Sequence, residues 1–594
     1  MPHPFSRYRL RFFKDVVRIL VLPSVCFSGL LWITHVRLGL LAVPCHVAFI
    51  AVAACVRNWY YDFQDCRAAQ QMNARVVPTV KGKWPGNLDI LLKFKQATAS
   101  EYLGDFFLQL FEEHQSTIVN LRMLGANLYV TMDEEHIKYL MATGFDKFWR
   151  GRRQKERMEV FLGNGIFNRD DEQWKLHRAM ARPFFARDRI ADFELFERYT
   201  ESTLNIISSR ISSHSAVDVQ DLYARFTLDT ASESLFGQRL DTLHGALPQP
   251  GQSSSLSGKS CTPMDEFGSF AQAFEVSQEI IVERTRRGYF WPAFQLFKDD
   301  VEPHAKVIDT FLEPMITRVL ENKQQMRKAG MTSTVEHSTF LEYLADNTED
   351  PKIIRDQLLS VLLASRDTTS CLLTFVIYFL ALHPDVAHRL RAEILEHVGP
   401  HCPPTFDHIK NMRYLRAVIN ETLRLFPPVP QNQRECRDKP TVFPKSDRTY
   451  LSNADQPFYV PPNTPLLFTT ILTHRNPALW GSDADIFDPD RWLDGRKAIQ
   501  VNNPVMYTPF SAGPRICIGQ NYALNEASYF LVRLLQRFDT FTLAPEFQPP
   551  GSLPPDDWKS GKGRTAIEKL RPCFALTLYV KGGLWVRFGQ AKDS

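Results

Sequence analysis

Residues 510–519 read Phe510-Ser511-Ala512-Gly513-Pro514-Arg515-Ile516-Cys517-Ile518-Gly519 and run into a stretch with helical apolar spacing, Gly519–Leu535. The pattern Phe-x-x-Gly-x-Arg-x-Cys-x-Gly arises by chance in roughly one chain in ten thousand. Each fixed position therefore needs a physical reason. Gly513 permits a tight turn where a Cβ would clash. Arg515 offers a planar guanidinium that matches a carboxylate. Cys517 stands just ahead of a helix, whose free N–H groups and dipole stabilise a thiolate. Gly519 lets the backbone come close to the sulfur, and Phe510 can shield that sulfur from water. A lone cysteine is most often a buried structural thiol, but that reading leaves the other four fixed residues unexplained.

The segment resembles the haem-binding loop of the cytochrome P-450 superfamily. The resemblance implies haem b as cofactor, Cys517 as the ligand of its iron, and Arg515 on a haem propionate. Phe510, Gly513 and Gly519 would shape the loop around both. Further segments resemble other motifs of that family. Glu421-Thr422-Leu423-Arg424 lies on an expected helix, Leu415–Leu425. Alone, this spacing is a surface ion pair. Followed by Phe426-Pro427-Pro428, it resembles the family's Glu-x-x-Arg helix. Phe487-Asp488-Pro489-Asp490-Arg491-Trp492 resembles the segment that adds Arg491 to the pair. A buried Arg–Glu–Arg set is costly unless fully paired, so Glu421, Arg424 and Arg491 are expected to be structural. Trp174 and Arg178, on an expected helix Asp171–Met180, resemble a propionate-contacting pair, with His177 a solvated neighbour. Arg434 resembles another such contact, with Arg437 the near alternative.

Ala364-Ser365-Arg366-Asp367-Thr368-Thr369 interrupts an apolar run expected as one helix, Ile353–Ala381, which His383-Pro384 ends. Burying Asp367 and Thr368 without partners is expensive, and a membrane span centred on Arg366 and Asp367 is costly too. The knot resembles the family's oxygen-activating motif, which implies Asp367 and Thr368 as catalytic residues that deliver protons. Ser365 replaces the family's usual glycine. Its hydroxyl can bond back to the helix, and its bulk narrows the pocket.

The 594 residues, 44% hydrophobic, can build a sizeable core without disulfides. A formal charge of +4, from 70 basic and 66 acidic residues, argues against a nucleic-acid binder driven by bulk charge. The ten cysteines form no CxxC or CxxH pair, so all but Cys517 are expected as inert, mostly buried thiols. Arg7, Arg9, Arg11, Lys14 and Arg18 precede apolar stretches at 19–36 and 38–56, each near spanning length. A second apolar stretch fits poorly with a cleavable signal peptide. Residues 1–56 are expected as a membrane anchor of one or two spans. A two-span hairpin keeps the N-terminal bases and the main domain in the cytosol. Residues 57–100 read as a connector and 101–594 as the haem-thiolate domain, with a mobile surface insertion at about 245–263. The class is mainly α with minor β, and the resemblance implies a long central helix over haem and small β-sheets. Phe574–Val580 and Leu584–Phe588, split by Lys581-Gly582-Gly583, are expected as a hairpin. The basic run Arg150, Arg152, Arg153, Lys155 and Arg157 is expected on a solvated face.

The resemblance implies a monooxygenase that inserts one atom of dioxygen into an apolar substrate. The chain has no Gly-rich dinucleotide fingerprint after a strand. Electrons would come from a separate NADPH-cytochrome P-450 reductase, with cytochrome b5 as a further partner, at the endoplasmic reticulum membrane. Phe148-Trp149-Arg150-Gly151-Arg152-Arg153, Gly163-Asn164-Gly165-Ile166-Phe167 and Phe226-Thr227-Leu228-Asp229 resemble fungal microsomal members that hydroxylate alkanes and fatty acids. Two other readings stay open. One is a haem-thiolate isomerase or lyase on lipid peroxides, where Asp367-Thr368 would be superfluous. The other is a non-catalytic membrane protein that binds haem or lipid.

Overall fold

The axis of the molecule is the helix Pro351–Leu382, about 48 Å long at 1.5 Å per residue. The computed structural model describes residues 8–185, 192–212, 215–251, 266–329, 339–445 and 456–592. Asp350 starts the central helix by accepting from the N–H groups of Lys352 and Ile353. It has the length and hydropathy of a membrane span, yet it is mostly buried inside the domain. The helices Val219–Phe236, Arg413–Leu425 and Gln520–Arg537 pack on it. Phe375, Phe426, Phe530 and Leu531 belong to the core there.

The sheets are small. The largest has five strands in the order Ile118–Asn120, Tyr129–Thr131, Pro465–Phe468, Asn432–Cys436, Phe148–Trp149. Its Arg434 pairs with Leu466 and its Cys436 with Phe148. The expected C-terminal hairpin is not formed. Pro572–Phe574 turns back on Leu578–Val580, while Trp585–Gln590 pairs with Phe538–Leu543. The cause is Gly583, at φ +82°. A Cβ there would lie 2.1 Å from the Asp218 carboxylate, whose Oδ1 accepts from the Leu584 N–H at 2.9 Å. That turn carries the chain away from its predicted partner.

At the front, Tyr8–Ile33 and Gly39–Gln71 are 26 and 33 residues long, with spanning hydropathy and no buried residue in the most apolar 18-residue part of either. They pack together, with the Phe27 and Phe49 rings 4.8 Å apart. Both outrun the expected stretches, because Arg9–Lys14 and Arg57–Gln71 are as helix-competent as the apolar residues beside them. Beyond the second helix, Arg75–Val76 pairs in parallel with Phe458–Tyr459. Residues 252–263 of the expected insertion lie outside the described residues. The reading of spare cysteines as mostly buried fails for Cys26, Cys55, Cys66 and Cys402, which are exposed. Cys26 and Cys55 sit on apolar helices whose outer faces suit lipid.

Candidate active site

The loop around Cys517 is closed by its own backbone. The Cys517 N–H donates to the Phe510 carbonyl at 2.9 Å, and Phe510 rests half-buried on the core. Gly513 sits at φ +65°, and a Cβ there would come within 2.0 Å of the Met141 carbonyl oxygen. At Gly519 a Cβ would meet nothing nearer than Phe185 at 3.9 Å, so no protein atom demands glycine at that position. Burial pushes the Cys517 thiol up, while the Gly519 N–H and the Arg178 charge draw it back. The residue is nonetheless exposed.

Cations gather beside that loop. Arg515 Nη2 donates to the Arg169 carbonyl and to Asp170 Oδ1, both at 2.8 Å. Its guanidinium lies 4.4 Å from the Trp174 ring centroid. Arg178 Nη2 donates to the Ile516 carbonyl at 2.8 Å. The helix Asp171–Ala181 places Trp174, His177 and Arg178 there. Burial and the neighbouring Arg150 charge lower Arg515 to about 9. Burial, with Arg150 and Arg515 beside it, holds Arg434 well below the usual guanidinium range. Arg150 Nε, Arg434 Nε and His177 Nδ1 are buried without a hydrogen-bond partner. Arg437, the alternative to Arg434, binds Asp171 on the surface.

Two expectations are corrected here. His177 is buried, not solvated. Lys155 and Arg157 are buried too, because the basic run turns inward: Lys155 Nζ meets Asp170 Oδ2 at 2.5 Å. Arg150, read in the sequence only as part of the basic run and of a subfamily segment, belongs to this cluster, as does Asp170, which carries no motif. The only signal for Asp170 was its place one residue before an expected helix.

Between Asp356 and Leu380 all but four residues of the central helix are buried. Leu363, Ala364, Ser365 and Thr368 are half-exposed among buried neighbours. The helix is unbroken at Ser365, whose hydroxyl donates back to the Val361 carbonyl at 3.0 Å. Thr368 Oγ1 donates to the Ala364 carbonyl at 2.7 Å. Asp367 is buried 3.5 Å from Arg366 Nη1, and Arg366 pairs with Glu275.

Glu421 is wholly buried. Its Oε1 and Oε2 each accept from Arg424 at 2.8 Å. Arg491 Nε reaches Oε1 at 3.4 Å and Trp492 Nε1 donates to Oε2 at 3.0 Å. Burial alone would raise the Glu421 carboxyl, but the Arg424 pair outweighs it and leaves it lowered. His474, which no motif flagged, ties this set to the Cys517 loop. The Thr508 N–H donates to its Nε2 at 2.9 Å, so Nδ1 carries the proton and faces the Arg424 carbonyl at 3.2 Å. Burial lowers His474 to about 3, which keeps that tautomer neutral.

The residues present fit a haem. Several buried cations share one carboxylate, which suits a dianionic ligand edge. Among the described residues, no group of three or more metal-ligating side chains comes together. The sequence model of the family described as cytochrome P450 matches residues 83–557. Cytochrome P450 52-E3 of Starmerella bombicola is 35% identical over 485 residues, 81% of this chain and 88% of its own. Cytochrome P450 52A6 of Candida tropicalis is 33% identical over 517 residues, 84% and 93% of the two chains. Cytochrome P450 monooxygenase g430 of Fusarium sp is 33% identical over 524 residues, 87% and 86%. On a match that spans most of both partners, and with the Cys517 loop set beside a cluster of cations, the chain belongs to the cytochrome P450 family of haem-dependent, oxygen-incorporating oxidoreductases.

Proposed function

We propose that this monooxygenase hydroxylates a long-chain alkane or fatty acid, with electrons from NADPH-cytochrome P-450 reductase. The observation that carries the reading is the Cys517 loop, closed by its own backbone and flanked by the Arg178 and Arg515 guanidiniums. In this reading Cys517 would hold the haem iron. Trp174, Arg178, Arg434 and Arg515 hold the propionates, while Phe510, Gly513 and Gly519 form the loop. Haem held by a cysteine thiolate supplies dioxygen activation and favours O–O cleavage over reversible binding.

The protein's own part is proton handling. Thr368 Oγ1 spends its proton on the Ala364 carbonyl, which leaves its lone pairs free to accept a further hydrogen bond. Asp367, the preceding residue, is read as the carboxylate that resupplies it. Glu421, Arg424 and Arg491 keep the surrounding core rigid and carry no chemistry.

The substrate class rests on the resemblance to fungal microsomal hydroxylases and on yeast cytochrome P450 52 relatives. The membrane supports it, since such substrates dissolve there. The anchor is read as a two-span hairpin in the endoplasmic reticulum membrane, with the domain and the N-terminus both cytosolic. Contacts at the start of the first helix support that topology. Tyr8 Oη donates to the Gln295 carbonyl at 3.0 Å, and Arg11 Nε meets Glu156 Oε2 at 2.7 Å. A bilayer cannot pass between groups in contact. Cytochrome b5 is read as an auxiliary donor. The test supplies NADPH, purified reductase and either dodecanoic acid or dodecane to the lipid-reconstituted enzyme. Hydroxylated product from either supports the reading; NADPH-independent rearrangement of a lipid peroxide, with no hydroxylation, overturns it.

A further inference from the structure

Arg515 rests on irregular backbone. Its two acceptors, the Arg169 carbonyl and Asp170 Oδ1, belong to residues 163–170, which join the helices Arg152–Leu162 and Asp171–Ala181 and contain neither helix nor strand. Asp171, the next residue, holds a left-handed φ of +54°, which a non-glycine residue keeps only where its surroundings fix it. No ladder holds such a stretch, so side chains must.

They do so through one buried pair. Arg169 is 1% exposed and Glu159 7%. Arg169 Nη2 donates to Glu159 Oε1 at 2.9 Å and Nη1 to Oε2 at 3.1 Å, the two-bond fit that guanidinium and carboxylate favour. Nη1 also donates to the Asn168 carbonyl, and Nε to Asn164 Oδ1, both at 2.7 Å. Every guanidinium nitrogen thus has a partner on the helix Arg152–Leu162 or on the joining segment itself. Asn168 Nδ2 adds bonds to Glu159 Oε2 at 3.2 Å and to the Gly163 carbonyl at 3.1 Å. The start of the segment is pinned to the central helix, where the Asn164 N–H donates to Asp356 Oδ2 at 2.6 Å. A Cβ on Gly165 would lie 1.9 Å from Ser360 Oγ, so the two backbones meet closely. A buried ion pair is a poor source of stability against an apolar replacement, so its use here needs another reason.

We propose that Glu159 and Arg169 are positioning residues: their pair locks the Arg169 carbonyl and the Asp170 carboxylate in place, and through them aims Arg515 at the carboxylate edge of the haem. Neither touches the ligand; each acts through Arg515. The inference rests on the reading of Arg515 as a propionate contact.

The test follows haem transfer from the holoenzyme to excess apomyoglobin, and the midpoint potential of the haem, in wild type and variants. Arg169→Lys and Glu159→Asp keep every charge and lose the two-bond fit, so a change in net charge cannot explain the outcome. Transfer is expected to run about tenfold faster in each. The midpoint potential is expected to fall, because a cation less firmly set beside the haem favours the reduced iron less. Asn164→Ala removes one bond, leaves the pair intact, and serves where the other variants fail to fold; about threefold faster transfer is expected. Glu568→Asp is the control, since it disturbs a buried pair of like kind, with Arg564 at 2.5 Å, and is expected to lower stability without faster transfer. Arg515→Gln tests the underlying reading and is expected to speed transfer. If it does so while Arg169→Lys, Glu159→Asp and Asn164→Ala keep wild-type transfer and potential, the positioning role is overturned and the propionate reading stands. Wild-type transfer in Arg515→Gln overturns both. Transfer in Glu568→Asp as fast as in Glu159→Asp also overturns the positioning role, because general loosening then explains the effect.

Discussion

Glu421→Gln keeps the shape of the side chain and removes its charge, so it isolates the worth of the buried set. In the wild-type protein Oε1 accepts from Arg424 Nη2, Arg491 Nε and the Asp488 N–H, and Oε2 from Arg424 Nε and Trp492 Nε1. A glutamine has one acceptor oxygen. Its NH2 would face donors at the other position, and the wholly buried Arg424 would keep a charge without a counter-charge. Removing one partner of such a pair costs about 3–5 kcal/mol, a large fraction of the roughly 5–15 kcal/mol that holds a domain folded. Asp483→Asn is the internal control. Asp483 also binds Arg491, at 2.9 Å, but its side chain is 41% exposed, and such a pair is worth about 1 kcal/mol or less. Denaturant unfolding can be followed through the fluorescence of Trp480 and Trp492, which pack 5.9 Å apart beside the set. If Glu421→Gln stays within about 1 kcal/mol of wild type, or Asp483→Asn costs as much as it does, the reasoning about burial is wrong.

Gly513→Ala places a Cβ 2.0 Å from the Met141 carbonyl at a positive φ; a cost on the order of 3 kcal/mol and a lower haem content per protein are expected, and pigment at wild-type content contradicts this. Burial pushes the Glu526 carboxyl from 4.5 to about 8, with the Thr369 hydroxyl drawing it back. The folded state then holds that proton more tightly than the unfolded one, so this stabilisation is full below pH 4.5 and is lost as pH rises through 8. Glu526→Gln is expected to flatten the fall in stability across that window, and an unchanged slope in unfolding free energy against pH excludes the assignment. Thr368→Ala is expected to keep the pigment while releasing more hydrogen peroxide per NADPH; unchanged coupling removes Thr368 from proton delivery.

The motifs around Cys517, Glu421 and the central helix were legible because each combines residue types that have few alternative uses at that spacing. Where side chains act through long-range packing, the sequence was silent. His474 stands in an ordinary threonine-rich stretch, and only the fold brings it between Arg424 and Thr508. Asp170 becomes the shared counter-charge of Lys155 and Arg515 through a turn that no spacing rule encodes. The hairpin misreading at Lys581-Gly582-Gly583 came from alternation that identifies strands but not their partners. The basic run departs from its solvated reading for a related reason, since a cation buried beside a carboxylate looks like a solvated one until burial is known.

The most direct test is the absorption of the reduced carbon-monoxide complex, recorded for the wild-type protein and for Cys517→Ala. The wild type is expected to show the red-shifted band of sulfur-ligated haem, and the variant to lack it. A haem-loaded, folded wild type without that band, or a variant that retains it, would contradict Cys517 as the ligand of the iron.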